Sequence, residues 1–441
     1  MSDHSPGDFK RIRIEVPDDH GVLRGKIVPS AKVESPHGAA FCSAILGLTV
    51  ADDVYVSEFA GPEEGWPDIS VFPDLSTLRP VPWEPSMGAV LADYRQADGG
   101  PHPLCQREAV RRAGRRLSDL GYHSEVALEF EIFMFQADPE AVDRHRYRDL
   151  KPLSRIQQAY SFQRLPQMSP FVDDLFEGME TYGVPLESLH TELGYGVIEV
   201  ALKHAPALEA ADRAARFKLG IKEIAARHAL VPTFMAKWKE DEPGSSGHIH
   251  QSLWREGTSA FWTDSGGVSD TLACYVEGLL STAKDLSIVY GPNLNSFRRP
   301  NPKNWAPTTA SWGEDNRLTC VRVMTHHPDY CRAEMRRPGA DLAIYLSVAG
   351  SLASGALGIE QGLKLRPQSQ GDPTGDPETP LLPVSFEEAL DALRNSTVAC
   401  ELLGKEMVDH YVIGREAELE STAAHRARIP DWELERYFEN T

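Results

Sequence analysis

Alternation of apolar and polar side chains is sharpest at Val126–Phe135, which reads Val-Ala-Leu-Glu-Phe-Glu-Ile-Phe-Met-Phe. Successive side chains of a strand point to opposite faces. Val126, Leu128, Phe130, Ile132 and Met134 then form one apolar face, and Ala127, Glu129, Glu131, Phe133 and Phe135 form the other. Neighbouring carboxylates in a buried strand repel and lose hydration unless cations compensate them. Glu-x-Glu alone ordinarily marks an edge strand with a wet polar face. Phe133 and Phe135 on that same face weaken this reading.

Elsewhere the pattern is coarser. Phe9–Val16 and Val22–Val28 flank Pro17–Gly21 as a hairpin. Short strand-like runs continue to Asp98-Gly-Gly-Pro101 and predict a small β-rich N-terminal domain. Helical spacing covers Glu108–Leu120, with Gly121 as C-cap. It recurs at Ala207–Ala229, with Leu208, Ala211, Phe217, Ile221 and Ile224 on one face. Gln136–Met179 is polar and irregular, and Pro367–Pro383 reads as a surface loop. Ser385 and Glu388 make a capping box opening a helical region from Phe386 to about His425. Leu342–Ile359 lacks charges and is about as long as a membrane span. Its Ser347, Gly350, Ser351, Ser354, Gly355 and Gly358 favour a closely packed buried helix instead.

With 441 residues, 41% apolar and 25% charged, the chain has the composition of a soluble globular protein of two or more domains. Its formal charge of -20 disfavours nucleic acid or an anionic membrane as partner. A phosphate or carboxylate substrate must therefore find a local cluster of arginines. Cys42, Cys105, Cys274, Cys320, Cys331 and Cys400 contain no Cys-x-x-Cys pair, as expected of reduced thiols in the cytoplasm. The polar start Met1–Gly7 does not read as a signal peptide.

Several stretches carry candidate chemistry. Glu192 and Glu199 flank Gly194-Tyr-Gly196; a hairpin turn there would make them cross-strand neighbours, though an exposed acidic hairpin is equally compatible. His248 and His250 share a strand face after a glycine–serine loop. Arg298, Arg299, Arg317 and Arg322 surround a Pro/Asn-rich loop, and Glu334 and Arg336 share a face in Arg332–Arg337. Such arginines either form solvated salt bridges or grip phosphate and carboxylate oxygens. Separated carboxylates with an imidazole suit Mg²⁺ or Mn²⁺ better than Zn²⁺ or copper. Divalent ions together with arginines imply phosphoryl transfer. No Walker A, kinase Gly-rich loop or Rossmann fingerprint is present.

Taken in order, Glu129-Phe-Glu131, the Glu192…Glu199 pair, Ser246-Gly-His-Ile-His-Gln-Ser-Leu253, Asn295-Ser-Phe-Arg-Arg299 with Asn316-Arg317, and Arg332-Ala-Glu-Met-Arg336 resemble the glutamine synthetase family. Lys222-Glu-Ile-Ala, Pro232–Lys237 and Asp431-Trp-Glu extend the likeness over most of the chain. The resemblance implies an α+β chain. An N-terminal β-grasp domain (residues 1–103) would precede a catalytic αβ domain (residues 104–441), a half-barrel of strands with surrounding helices. It implies a homo-oligomer with sites between subunits, commonly a dodecamer of two stacked hexamers. It also implies that ATP converts L-glutamate to γ-glutamyl phosphate, from which an amine displaces phosphate. Carried over residue by residue, Glu131, Glu192 and Glu199 would ligate the metal nearer glutamate, and Glu129, His248 and Glu334 the metal bridging ATP phosphates. At least two Mg²⁺ or Mn²⁺ ions per site follow. Gly244, Arg299 and Arg336 match glutamate-binding positions, Arg317 and Arg322 phosphate-binding ones, and His250 and Ser252 nucleotide contacts.

Departures from the family concern the nucleophile. Ammonia-using members carry an Asp in Phe-Asp-Gly-Ser-Ser, where this chain has Phe41-Cys-Ser-Ala44. Their flap Glu before Ala-Pro is Trp305 here, while a second ammonium-site Asp survives as Asp68. Pro243 replaces the usual Asn beside Gly244, and no adenylylation Tyr motif is evident. Loss of anions weakens a site for a small cation, and Trp adds apolar surface. The expectation is a glutamate–amine ligase for an alkyl or aryl monoamine or a polyamine, with Asp68 and Trp305 in the amine pocket. Asp68 or Glu192 would act as general base, and Glu58, Glu63 and Glu64 could meet a polyamine. The alternatives are a glutamine synthetase using ammonia and a catalytically silent scaffold or regulatory protein of the same fold.

Overall fold

The structure is a computed structural model describing residues 4–138, 140, 147, 150–163, 165–264, 266–301 and 305–423. Six short strands build the first sheet: β1 (Arg11–Pro17), β2 (Leu23–Pro29), β3 (Ala39–Cys42), β4 (Asp68–Pro73), β5 (Arg79–Pro80) and β6 (Met87–Arg95). Their order is β2-β1-β6-β4-β3, with β5 beside β6. The expected hairpin is β1–β2, and β1 runs parallel to β6 at the centre of the sheet. A central parallel pair made of the first and last strands is the β-grasp arrangement. Ile12, Ile14, Val16 and Val90 are buried in its core.

The helix Gln106–Asp119 leads into β7 (His123–Gln136), and Gly121 between them has φ +83, which a glycine adopts without strain. The second sheet adds β8 (Leu186–Thr191), β9 (Val197–Leu202), β10 (Ala205–Pro206), β11 (Leu230–Thr233), β12 (Ile249–Arg255), β13 (Thr258–Ser259), β14 (Trp312–Glu314), β15 (Val321–Met324) and β16 (Arg332–Met335). Its order is β14-β15-β16-β12-β7-β9-β8, with β10 and β11 also on β7 and β13 on β12. Thus β7 is the central strand of a curled half-barrel, paired along both edges. The wet-edge alternative for Glu129 and Glu131 is excluded. On the apolar face of β7, Phe130 stacks on Phe217 of the Ala207–Arg227 helix, with ring centroids 5.7 Å apart.

Ile344–Glu360 forms the buried helix expected near Leu342–Ile359, with every residue from Ile344 to Gly358 inside. Its small residues have a specific cause. A Cβ at Gly355 would fall 2.0 Å from the Tyr275 ring, and one at Gly358 2.0 Å from the Cys274 carbonyl, both in the helix Asp270–Thr282. No described helix is long and apolar enough to cross a membrane. The expected C-terminal helical region is present as three helices, Phe386–Arg394, Thr397–Leu403 and Lys405–Ser421. Ser385 and Ser396 cap the first two, and Gly404 at φ +89 turns the chain into the third. His425 and Asp431-Trp-Glu lie outside the described residues.

Ion pairs tie the two sheets through helices. Arg107 is 1% exposed and bonds Asp93 of β6 at 2.9 Å, Asp74 beside β4 at 2.9 Å, and Asp212 of the Ala207–Arg227 helix at 2.9 Å. Arg216 on that helix reaches Glu15 of β1 at 3.2 Å, and Glu223 accepts from Arg13 at 2.8 Å. Removing one member of a buried pair strands the other charges. Arg107→Ala is therefore expected to cost about 3–5 kcal/mol of stability, read from denaturant unfolding followed by tryptophan fluorescence. A loss under about 1 kcal/mol would show that the clamp is dispensable.

Candidate active site

The sheet register builds the site. Across neighbouring strands, Arg322 on β15 faces Glu334 on β16, and Glu334 faces His250 on β12. On β7, Glu131 lies directly opposite Glu199 of β9, and Glu199 opposite His190 of β8. Because strand side chains alternate, these residues share one face with Glu129. Like charges placed opposite each other across strands are destabilising. Here the register imposes that arrangement.

Two clusters result. In the first, Glu129 receives His248 Nδ1 at 2.6 Å and lies 3.3 Å from His250 Nε2, while His248 is 3.4 Å from Glu334. Burial opposes ionisation of Glu129, but His250 and His248 outweigh it and hold its carboxyl well below the usual range. Glu334 is buried too, yet Arg336 and the two imidazoles bring it down to about 2. In the second cluster, His190 Nε2 sits 3.3 Å from Glu192 and 3.4 Å from Glu199. Burial and the charges of Glu129, Glu131 and Glu192 push Glu199 up to about 9.

The expected Glu192–Glu199 hairpin is present, with Gly194 at φ +112 and Gly196 at φ +72 in its turn. A Cβ at Gly196 would come within 2.8 Å of the Leu153 amide and the Met134 carbonyl. One detail is corrected. Glu199 pairs with His190, not Glu192, which lies just beyond the end of β8 and donates its amide to the Val197 carbonyl at 3.0 Å. The turn is longer than the tightest hairpin, so the two carboxylates are diagonal neighbours.

Arginines line the opposite side of the face. Arg322 bridges Asp315 at 2.9 Å and Glu334 at 3.1 Å. Arg336 bonds Glu334 and donates Nε to the Arg317 carbonyl at 3.1 Å. Arg299 is buried, and burial lowers its guanidinium to about 10 against the pull of Glu131 and Asp341. Its terminal nitrogens already hold the Arg337 carbonyl at 2.9 Å, the Arg336 carbonyl at 3.2 Å and Ser246 Oγ at 3.0 Å. The Ser246 amide in turn donates to Glu131 at 2.7 Å. Gly244 permits this packing, since a Cβ there would lie 2.6 Å from Arg299 Cγ.

His250 and Ser252 line a cleft of about 340 Å³ with Glu129, Trp254, Tyr330 and Arg332. Trp305 and Arg317 line another of about 370 Å³. Asp68 is not brought to this face within one chain: it is exposed at the start of β4, opposite Cys42, and no hydrogen bond or ion pair among the described residues joins it to the carboxylates.

Three residues at the site escaped the sequence reading. His190 lies two positions before Glu192 on the same strand face, so the alternation that singled out Glu129 and Glu131 would have found it. Arg332, two before Glu334, donates to His250 Nδ1 at 3.1 Å by the same spacing. Tyr160 stacks on His190 at 4.3 Å from an irregular segment and carries no periodic signal.

The donor set suits divalent cations. Carboxylates crowd one face, and the Nε2 atoms of His190, His248 and His250 are buried there; among the described residues none of the three makes a well-directed hydrogen bond, though carboxylates lie within 3.4 Å of those of His190 and His250. Oxygen-rich sites with few imidazoles suit Mg²⁺ or Mn²⁺. A concave sheet face that gathers carboxylates, imidazoles and guanidiniums between two clefts defines an enzyme built to handle cations and anionic substrates together. Residues 103–437 match the model of the glutamine synthetase catalytic domain. The chain belongs to the glutamine synthetase family, whose members generally depend on ATP and a divalent metal.

A type-1 glutamine synthetase from Dictyostelium discoideum is 35% identical over 97% of this chain and 83% of its own. A glutamate–isopropylamine ligase from a Pseudomonas species is 35% identical over 97% of this chain and 95% of its own. The solved structure titled GmaS/ADP complex superposes with a TM-score of 0.83 at 28% identity, covering 98% of this chain and 97% of that one. The Dictyostelium and Pseudomonas relatives are named a synthetase and a ligase, and this chain is a C–N ligase by family.

Cation binding should displace the proton that Glu199 keeps up to about pH 9. Titrating Mg²⁺ at pH 7.5 in buffers of different ionisation enthalpy is expected to release about one proton. Glu199→Gln should abolish that release; an unchanged release would place the titrating group elsewhere.

Proposed function

We propose that this protein joins L-glutamate to an organic amine, using ATP, by way of γ-glutamyl phosphate. The observation that carries the reading is Trp305. It is 49% exposed beside Arg317, at the position where ammonia-using relatives carry a flap carboxylate. An indole offers no charge to hold ammonium and offers apolar area to an alkyl or aryl amine. Similarity to the isopropylamine ligase along nearly the whole chain supports it.

On this reading, residues 1–103 are the β-grasp domain and 104–441 the catalytic one. Glu131, Glu192 and Glu199 hold a cation beside glutamate, and Glu129, His248 and Glu334 hold one at the ATP phosphates, with His250 close enough to share that task. Bound there, Mg²⁺ or Mn²⁺ would neutralise phosphate oxygens and so lower the charge barrier to transfer. Arg317 and Arg322 take the transferring phosphate, and Arg336 takes a glutamate carboxylate. Arg299, whose terminal nitrogens are held by two backbone carbonyls and Ser246 Oγ, would act on glutamate by fixing the Ser246 loop. His250 and Ser252 meet the nucleotide in their cleft. Glu192 is the nearest candidate to accept the amine's proton. Asp68 joins the amine pocket only if a neighbouring subunit supplies it, which fits a cytoplasmic dodecamer of stacked hexamers. The ammonia-using reading keeps support from the similarity to the Dictyostelium enzyme.

ADP release with glutamate, ATP and ammonium, ethylamine, putrescine or aniline is expected to be fastest with an organic amine. Trp305→Glu should raise the ammonium-to-amine ratio of kcat/KM about tenfold. Ammonium as clearly the best substrate would end the amine reading. Glu129→Ala and Glu131→Ala should each lower ADP release at least a hundredfold while the assembly, followed by light scattering, stays intact. Near-normal release in either variant would remove that carboxylate from the cation sites.

A further inference from the structure

The cleft beside Trp305 has features that the amine reading alone does not use. Its walls include Trp305 and Leu318, the charged Glu314, Asp315 and Arg317, and the amides of Gln368 and Gln370. Two contacts join it to the carboxylate face. Asp315 bonds Arg322, which reaches Glu334 at 3.1 Å, and the Arg317 carbonyl accepts from Arg336, which also bonds Glu334. A tail leaving the face past Arg317 therefore enters this cleft.

Its outer wall comes from the segment that the sequence marks only as a surface loop. That wall is fixed: the Asn316 side-chain amide donates to the Gly371 carbonyl at 2.7 Å, and the Ser369 amide to the Trp312 carbonyl at 3.0 Å. The walls thus face each other at a defined spacing.

The acids of the cleft are engaged. Asp315 is bound by Arg322 and lies 3.4 Å from His326, and Glu314 accepts the Thr325 hydroxyl. Arg317 is exposed, and no ion pair to it exists among the described residues. The side-chain amides of Gln368 and Gln370 are exposed and likewise have no hydrogen-bond partner among the described residues. A second ammonium group entering here would meet two guanidiniums, Arg317 and Arg322, against the two carboxylates Glu314 and Asp315, and so finds no net negative charge. A plain hydrocarbon tail would cover the amides and return nothing for their lost water. A hydroxyl or ether oxygen can bond the amides while its carbons lie on the indole of Trp305.

We propose that this cleft is the subsite for the tail of the amine, and that it selects short amines bearing a neutral hydrogen-bonding group over diamines and plain alkylamines. The proposal rests on the glutamate–amine ligase reading. Gln368 and Gln370 are specificity-determining residues outside the catalytic machinery.

The test compares three amines of matched length, 3-aminopropanol, butylamine and 1,3-diaminopropane, together with ammonium. ADP release by the full-length enzyme is followed at saturating glutamate and ATP. The aminoalcohol is expected to exceed each matched amine in kcat/KM by about fivefold or more. The double variant Gln368→Leu, Gln370→Leu should raise KM for the aminoalcohol by about the same factor. It should leave KM for glutamate and ATP unchanged, which also confirms that the variant is folded, and should lower KM for butylamine, because leucines remove the amides that a hydrocarbon tail covers. Equal or reversed preference among the three, or a double variant that keeps the wild-type preference, overturns the subsite and leaves the ligase reading standing. Ammonium outrunning every amine overturns the ligase reading, and the subsite with it.

Discussion

Glu131 and Glu199 face each other across adjacent strands, with Glu129 one step along the same face. That repulsion is the constraint on which the rest of the structure depends. Strand register is fixed by hydrogen bonds and by the apolar residues on the reverse face. The carboxylates cannot slip apart without exposing Phe130 and Ile132. The chain holds its acids together and leaves imidazoles, arginines and the proton of Glu199 to offset them.

Rigidity is supplied from behind. The helix Ala207–Arg227 covers the apolar side of β7; its Arg216 and Glu223 reach the small sheet directly, and its Asp212 does so through Arg107. The same element thus seats the central strand and anchors the N-terminal sheet. Helices with glycine at their contacts close the other flank at backbone distance.

Much of this was legible in the sequence because it follows periodic rules. The two-residue period of β7, the hairpins and the long amphipathic helix follow from local pattern, and the fold class follows from the resemblance. Ordered motifs brought Glu129, Glu334, His248 and His250 to one place, as their register now accounts for. What escaped has physical reasons too. Edge and central strands have the same alternation, so only pairing on both sides could decide for β7. The direct partner of Glu199 depends on the length of the turn, which glycines permit but do not set. Tyr160 belongs to an irregular segment where no period exists. The C-terminal helical region was legible but its internal boundaries were not, because Gly404 and the Ser396 cap are weak breaks beside continuous apolar spacing.

The short path from Arg299 through Ser246 to Glu131 has a thermodynamic meaning. The Ser246 amide grips a carboxylate of the acidic face, and its hydroxyl is gripped by a buried guanidinium behind the Gly244 loop. Whatever orders that loop also orients Glu131, and whatever draws Glu131 forward tightens the loop. A group bound beside Arg299 and one bound beside Glu131 would therefore share one coupling free energy, equal in size in both directions.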